Sequence, residues 1–456
     1  MKVEQIGPTE RLARFVVRAG REALDDSMRT RAAIALLDGL GLGLAARGDT
    51  TLEAYIDIVP AIAEAARGAT VWGRPITVSV LDAVTLNALS VHARFQDDCD
   101  MVSWAHPGSL IVPPAVSLGE FVGSDTETVL RAIACGYAVI TWLGGEEIVG
   151  RSVVGRGFRA SPVFGSIGAA ATASVILGLS VDETRNALAI SADLTGGVLE
   201  PVGAGADDWR LQNALAAHRG VMAALVAQRG VIGAPRALEG ANGFLHTFAG
   251  LDAVPEVWQS DPDVRTMRDV WAKPYPTLGD NMAVTAAALE IQRRGLNPDE
   301  IDSVDVHQNA NFASYPGTSF RGPFARPAQA MASTAFAVSA TLLYGRMDYG
   351  IYSSRLDDRS IAALIERLRV VPEPSYSYVD GRVVVKLRDG SVVDQAASEL
   401  PRTLFYRDRE SAEEAIAALL KETGYRDGLA DEVAQKVFGA LNTASVPIAD
   451  VVDTLL

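Results

Sequence analysis

Apolar residues recur at helical spacing through about the first 265 residues of the chain, and this pattern constrains the fold more than any other feature. The glycine- and proline-containing segments between the apolar runs, among them His106-Pro107-Gly108 and Pro113-Pro114, are interpreted as loops. The runs predict helices at residues 29–46, 79–94, 126–143, 162–177, 181–193 and 211–229. We therefore expect the first part of the chain to be all-helical.

The spacing changes after Asp269. Residues 301–307 alternate apolar and polar side chains, and residues 382–393, with an Asp-Gly turn, predict a β-hairpin. Helical spacing returns from Ser411. We predict a mainly α protein in which a large all-helical domain (residues 1–268 and 399–456) is interrupted by a smaller α+β lid domain (residues 269–398).

Composition limits the partners and the compartment. The chain has 456 residues, 48% of them hydrophobic, and a formal net charge of −15. Nucleic acid and anionic membrane surfaces both require positive patches, so neither is expected as a partner. Residues 161–181 carry no charge, but their Gly, Ala, Ser and Thr content favours a buried helix over a membrane span. Only two cysteines and the absence of a signal-like apolar start favour a cytoplasmic protein.

Gly39, Gly41 and Gly43 superficially resemble a dinucleotide-binding loop. They lie inside a helical run and follow no strand, so the context of such a loop is missing. Close helix packing is the better interpretation.

Two acid–base candidates lie near each other in the sequence. His106 is in a Pro/Gly loop, which suits a positioned general acid or base, although a residue that caps a helix end has the same signature. Asp97, Asp98 and Asp100 precede it, and these carboxylates could bind a divalent cation, orient a catalytic group or form a solvated helix end.

The segment Lys273-Pro274-Tyr275-Pro276 has a stiff backbone because two prolines fix its dihedral angles. It lies where the helical pattern gives way to the mixed pattern, and clefts between domains are favoured ligand sites. A clamp for a carboxylate and a plain interdomain hinge are both consistent with this segment.

Seven segments along the chain form a characteristic set in their order and spacing. They are residues 32–44 (AAIALLDGLGLGL), 87–98 (NALSVHARFQDD), 106–108, 157–179 (GFRASPVFGSIGAAATASVILGL), 216–230, 233–243 and 272–276. Taken together, these segments resemble the MmgE/PrpD family, which includes 2-methylcitrate dehydratase, cis-aconitate decarboxylase and iminodisuccinate epimerase. The resemblance implies a large helical domain, a smaller α+β lid and a homodimer.

The resemblance also implies site residues. The family pattern His-x-Leu-Asp-Phe-Asp-Asp aligns with residues 92–98, where Phe95 replaces the first Asp and the later acidic pair is retained. The histidine of the family's His-Pro loop falls on His106, and the interdomain lysine falls on Lys273.

Other basic positions of the family have changed. A family histidine falls on Arg159, a family lysine falls on Trp209 or, with a shift of one residue, on Arg210, and a second histidine falls on Leu278. Arginine binds carboxylates through two parallel hydrogen bonds but is a poor proton shuttle. The resemblance therefore implies that Arg159 and Arg210 bind substrate carboxylates.

The remaining proton-transfer candidates are His106, Lys273, Tyr275, Asp97 and Asp98. We expect His106, oriented by Asp97 or Asp98, to move a proton next to a carboxylate, and Lys273 to point into a cleft near it. The leading hypothesis is a metal-free, cofactor-independent dehydratase that acts on a small carboxylate-bearing substrate. An epimerase of a dicarboxylate, a decarboxylase, a non-catalytic carboxylate-binding descendant and a metal enzyme that uses the acidic cluster with His106 remain alternatives.

Overall fold

The computed structural model describes residues 6–59, 68–443 and 445–456. It divides into two compact units. Among the described residues, the helical unit comprises those up to Val198, Arg210–Ala272 and Tyr406–Leu456, and the mixed unit comprises Leu199–Trp209 and Lys273–Phe405.

Helices dominate the described residues, so the prediction of a mainly α protein is confirmed. In chain order the α-helices are α1 (Pro8–Ala19), α2 (Asp26–Ala45), α3 (Thr50–Ile56), α4 (Val80–His92), α5 (Pro107–Val122), α6 (Thr126–Leu143), α7 (Ile148–Gly155), α8 (Ala160–Ile176), α9 (Val181–Asp193), α10 (Glu200–Ala204), α11 (Trp209–Ala227), α12 (Met282–Arg293), α13 (Ala310–Ala313), α14 (Pro327–Ala332), α15 (Thr334–Tyr344), α16 (Tyr349–Ser354), α17 (Arg359–Glu366), α18 (Arg409–Glu422), α19 (Leu429–Gly439) and α20 (Ile448–Val452). The strands are β1 (Ala69–Thr70), β2 (Thr77–Val78), β3 (Ile301–Asn309), β4 (Leu368–Glu373), β5 (Gly381–Leu387) and β6 (Val392–Ala396).

Helix α8 lies at the centre of the helical unit and packs against α5, α6 and α9. Each of its residues is buried, as its small and uncharged side chains predicted. No single helix of the described residues is long and apolar enough to cross a membrane, although α6 and α7, bent by 70° relative to each other, meet the length and composition limits as a pair.

The glycines of α2 allow neighbouring side chains to approach its backbone closely. A Cβ atom built on Gly39 would lie 2.8 Å from Cγ1 of Val112, and one built on Gly43 would lie 2.6 Å from Cε3 of Trp72. Gly41 is equally crowded. These contacts confirm the helix-packing interpretation of the glycine repeat.

The interpretation of Pro113-Pro114 as a loop is wrong, because both prolines lie inside α5. The loop interpretation of His106-Pro107-Gly108 is wrong for its last two residues, because Pro107 and Gly108 begin α5 and only His106 precedes it. A proline in a helix removes one backbone hydrogen bond, which is why the sequence predicts a break there. However, α5 is buried along most of its length and packs against α4, α6 and α8. Tertiary packing of this kind outweighs an unfavourable local propensity.

The mixed unit contains a four-stranded sheet in the order β4-β3-β5-β6. The hairpin of β5 and β6 and the strand β3 form as predicted, with β3 antiparallel to β5 and parallel to β4. Strand β4 was not predicted. It contains Pro372 and lies at an edge of the sheet, where a missing N–H donor is tolerated.

Candidate active site

Three aromatic rings meet where α4 ends and α5 begins. His92 is the last residue of α4, Phe95 follows it, and His106 immediately precedes α5. The ring centroids of His92 and His106 are 5.4 Å apart, and Phe95 lies 5.5 Å from the first and 5.2 Å from the second. Phe95 adopts a φ of 55°, a strained value that bulky residues rarely adopt and that often marks a functional segment.

The His106 ring is oriented by the main chain of Asp98. Nδ1 of His106 lies 2.8 Å from the Asp98 carbonyl oxygen, which can only accept. Nδ1 therefore carries a proton, and in the neutral ring the lone pair is on Nε2. The Cys99 sulfur lies 3.3 Å from the same nitrogen, and the His106 amide donates to Oγ of Ser161 at 3.0 Å. His106 occupies the N-cap position of α5, yet its side chain makes no capping hydrogen bond.

Asp98 also contacts the first turn of α5 through its carboxylate. Oδ1 accepts the Gly108 N–H at 2.7 Å, and Oδ2 accepts the Tyr137 hydroxyl at 2.6 Å. Burial raises the pKa of Asp98 to about 7, against the lowering effect of the Tyr137 hydrogen bond. Tyr137 was not among the predicted site residues, because it lies 39 positions away in the sequence, on α6.

Asp97 orients His92 rather than His106. Nδ1 of His92 lies 2.9 and 2.8 Å from the two oxygens of Asp97, and Nε2 lies 2.6 Å from Nη2 of Arg159. All three residues are buried. His92 was missed because it ends a helix of ordinary composition, and only the fold brings Arg159 to it.

Both predicted substrate-binding arginines are buried at the beginnings of helices. Arg159 occupies the N-cap position of α8, and Arg210 is the second residue of α11. Nε of Arg210 donates to the Ala93 carbonyl at 3.0 Å and lies 3.6 Å from Oδ2 of Asp49. Positive charge is unfavourable at a helix N-terminus, so helix stability does not explain these two arginines.

The acidic cluster does not assemble into a set of metal ligands. Asp100 accepts hydrogen bonds from the Ser103 hydroxyl at 2.6 Å and from the Val102 amide at 3.1 Å, whereas Asp97 and Asp98 have the partners described above. Across residues 6–59, 68–443 and 445–456, no group of three or more His, Cys, Asp or Glu side chains is arranged to hold a metal ion.

The other predicted site residues belong to the mixed unit. Lys273 is 1% exposed, and its charge lowers the pKa of Asp280, which burial raises to about 7. Tyr275 is buried, which raises its pKa to about 12. Leu278 is buried as well, and its amide donates to the Met331 carbonyl. The predicted proximity of Lys273 and His106 stays a prediction.

Sequence comparison assigns both parts of the chain. The MmgE/PrpD N-terminal domain matches residues 10–256, and the MmgE/PrpD C-terminal domain matches residues 275–418. The chain belongs to the MmgE/PrpD family. This confirms the resemblance inferred from the segments that include the His92 and His106 motifs.

Curated relatives are similar at low identity. The cis-aconitate decarboxylase-like protein oryM of Aspergillus oryzae is 24% identical over 69% of this chain and 70% of its own length. The cis-aconitate decarboxylase of Mus musculus is 24% identical over 81% of this chain and 77% of its own. The Homo sapiens enzyme of the same name is 26% identical over 59% of this chain and 56% of its own. This chain is therefore a divergent member of the family.

Proposed function

We propose that this protein is a lyase that acts on a small carboxylate-bearing substrate and eliminates water after proton removal next to the carboxylate. The observation that carries the proposal is the buried pairing of an anchored arginine with an oriented histidine. Arg159 contacts His92, and the ring of His92 lies 5.4 Å from the ring of His106. A cation and a base in this arrangement suit an anionic substrate with an acidic C–H bond.

Arg159 and Arg210 are the proposed carboxylate ligands. A guanidinium carries five N–H donors in a fixed plane, so Arg159 can contact both His92 and a substrate carboxylate. The charge that develops on the substrate during proton removal spreads onto the same carboxylate, and a buried cation stabilises it more strongly than an exposed one.

His106 is the proposed base. Its Nε2 lone pair accepts the substrate proton, the C–H electron pair forms the new C=C bond, and hydroxide leaves from the adjacent carbon. The departing hydroxide takes up a proton to form water, and Lys273 is the proposed donor. The hydrogen bond from Nδ1 of His106 to Asp98 keeps the ring in the required tautomer.

Decarboxylation is the second candidate, and the names of the curated relatives favour it. In that reaction the bond between carbon and carboxylate breaks, CO₂ leaves, and the resulting carbanion takes a proton from a protonated His106. An epimerase would remove the same proton from the carbon next to the carboxylate and return a proton to the opposite face of that carbon.

NMR in deuterated water distinguishes these reactions in one experiment. The purified protein is incubated with cis-aconitate, an unsaturated tricarboxylate, and with citrate and other small hydroxylated di- and tricarboxylates. Dehydration gives an alkene without loss of carbon, decarboxylation gives CO₂ and one deuterium in the product, and epimerisation gives deuterium exchange at constant composition. Absence of all three signals across the panel, with carboxylate binding retained in calorimetry, would favour the non-catalytic alternative and contradict the proposal.

The resemblance also supports a homodimer in the cytoplasm as a proposal. Sedimentation equilibrium of the purified protein measures its oligomeric state, and imaging of the tagged protein in its host measures its compartment. A monomer at micromolar concentration would contradict the proposed assembly.

A further inference from the structure

Asp98 contacts the beginning of α5 at two points, the N-cap residue His106 and Gly108. Its main-chain oxygen accepts from Nδ1 of His106, and its Oδ1 accepts from the Gly108 amide two residues later. The first amides of a helix have no partner within the helix, and the N-cap side chain usually supplies one. In α5 the Asp98 carboxylate supplies it instead. The His106 ring is therefore not needed as a cap, and its Nδ1 donates to the main-chain carbonyl of Asp98.

Tyr137 holds the second oxygen of that carboxylate. Its hydroxyl lies 2.6 Å from Oδ2 of Asp98, and both side chains are buried. A phenol can donate to a carboxylate and accept from a carboxylic acid, so this contact persists in either protonation state of Asp98. Helix α6 thereby holds the second oxygen of the Asp98 carboxylate, while the beginning of α5 holds the first.

Space around these groups is tight. A Cβ atom built on Gly108 would lie 2.9 Å from Oδ1 of Asp98 and 3.4 Å from the Tyr137 hydroxyl. Helix α2 adds charges that act on the pair, since Arg31 and Asp38 both contribute to the electrostatics of Asp98 and Tyr137. A carboxylate confined in this way has little freedom to rotate.

We propose that Tyr137 is a positioning residue: by fixing the Asp98 carboxylate, it keeps His106 in the tautomer that has its proton on Nδ1. Tyr137 is not proposed to contact the substrate. The inference rests on the proposed function only where it predicts turnover, because the tautomer of His106 can be measured without substrate.

The test uses the full chain labelled with ¹⁵N at histidine. His106→Asn assigns the His106 signals, and above the titration of the ring the wild type is expected to show a protonated Nδ1 and an unprotonated Nε2. A wild-type His106 with its proton on Nε2 would overturn the proposal at once. In Tyr137→Phe the two nitrogen shifts should move toward each other, as expected when two tautomers exchange.

A matched control removes another buried hydroxyl. Tyr352 is fully buried in the mixed unit, so Tyr352→Phe should leave the His106 shifts unchanged. Gly108→Ala provides a second perturbation, since its added methyl group displaces Oδ1 of Asp98, and it should reproduce the Tyr137→Phe spectrum. Unchanged His106 shifts in a folded Tyr137→Phe variant would overturn the proposal, whatever Gly108→Ala shows.

Turnover gives the second readout. Once a substrate is identified, Tyr137→Phe should lower kcat on the order of 10-fold while KM changes less than about twofold, since the base is disordered and the arginines are untouched. If the spectra change but no substrate is turned over by the wild type, the proposed function fails and the positioning proposal stands. If the wild type is active and Tyr137→Phe alters neither spectrum nor kcat, the positioning proposal fails alone.

Discussion

Nε2 of His92 lies 2.6 Å from Nη2 of Arg159, and this contact determines the charge of the histidine. Arginine can only donate, so Nε2 must accept, and the remaining ring proton is on Nδ1 facing Asp97. His92 is thus a neutral link between an anion and a cation. The plane of the Arg159 guanidinium is anchored from one side before any ligand arrives, which lowers the entropy lost on binding.

Replacing Arg159 with Lys should weaken binding of the carboxylate substrate although the charge is kept. A single ammonium cannot hold both His92 and a carboxylate in one plane, so KM is expected to rise on the order of 10-fold. Steady-state kinetics measures the change, and Arg151→Lys, at an exposed ion pair with Glu147, is the control. Equal KM values for Arg159→Lys and the wild type would rule out the clamp at this position.

His106→Asn should lower kcat by at least about 10²-fold, because an amide cannot take up the substrate proton. Circular dichroism and thermal unfolding should remain close to those of the wild type. His246→Asn is the control, since His246 is exposed and pairs with Asp252 on the surface. A folded His106→Asn variant with normal turnover would remove this residue from the mechanism.

Asp98 should make the folded protein less stable as pH rises. Its folded pKa is about 7, above the ordinary value of 3.8, so between these two values the native state keeps a proton that the unfolded state releases. The free energy of unfolding therefore falls with rising pH in this window, by at most about 1.4 kcal/mol per pH unit for this one group. Asp280, whose pKa is also raised to about 7, makes the free energy of unfolding fall with rising pH in the same window.

Denaturant titrations at pH 5 and pH 8 measure this effect in the wild type and in Asp98→Asn. The free energy of unfolding of Asp98→Asn minus that of the wild type should be larger at pH 8 than at pH 5. The wild type loses stability over this range as Asp98 titrates, and the variant lacks that group. Asp389→Asn, at the exposed turn between β5 and β6, serves as the control for loss of a charge. A stability difference that is constant with pH would contradict the shifted pKa.

Gly43→Ala should destabilise the helical unit by about 1–3 kcal/mol, because the new methyl group would meet the rigid ring of Trp72 at 2.6 Å. Gly155→Ala is the matched control at another helical glycine, where a Cβ meets no atom within 4 Å. That change should be neutral or stabilise by up to about 1 kcal/mol. Denaturant midpoints that fall equally in both variants would contradict the close contact between Gly43 and the Trp72 ring.

Lys273→Met should abolish binding of the carboxylate substrate with little change in melting temperature. Removing one partner of a buried charge pair is costly while the other stays charged, but Asp280 can become neutral by taking up a proton. Calorimetry with the substrate identified by NMR measures binding, and differential scanning calorimetry measures stability. Retained affinity would remove Lys273 from the site.

Helix positions were largely predictable from the sequence, and the reason is visible in α6 and α9. Both begin and end where predicted, because acidic residues in the first turn and a periodic apolar face define them locally. Helix α5 was not predicted, since its prolines are tolerated only because neighbouring helices bury it. Strand β4 escaped prediction for a similar reason, as its proline is acceptable only at a sheet edge.

The candidate site was predictable in part. The sequence pointed to His106, Asp97 and Asp98 because they lie within ten positions of one another beside a Pro/Gly loop. It could not assign their partners. Whether Asp97 contacts His106 or His92 depends on the path of the chain through Phe95, whose φ of 55° lies outside the helical range. Tyr137 reaches the site only through packing of α6 against α5.

The array of Asp97, His92 and Arg159 draws its members from the end of α4, the segment after it and the beginning of α8. Each contact joins residues that do not belong to the same helix, so neither α4 nor α8 alone could form the array. The NMR signals of the neutral His92 ring should therefore appear and disappear in a single cooperative step with the helical unit, which makes this histidine a reporter of native folding independent of catalysis.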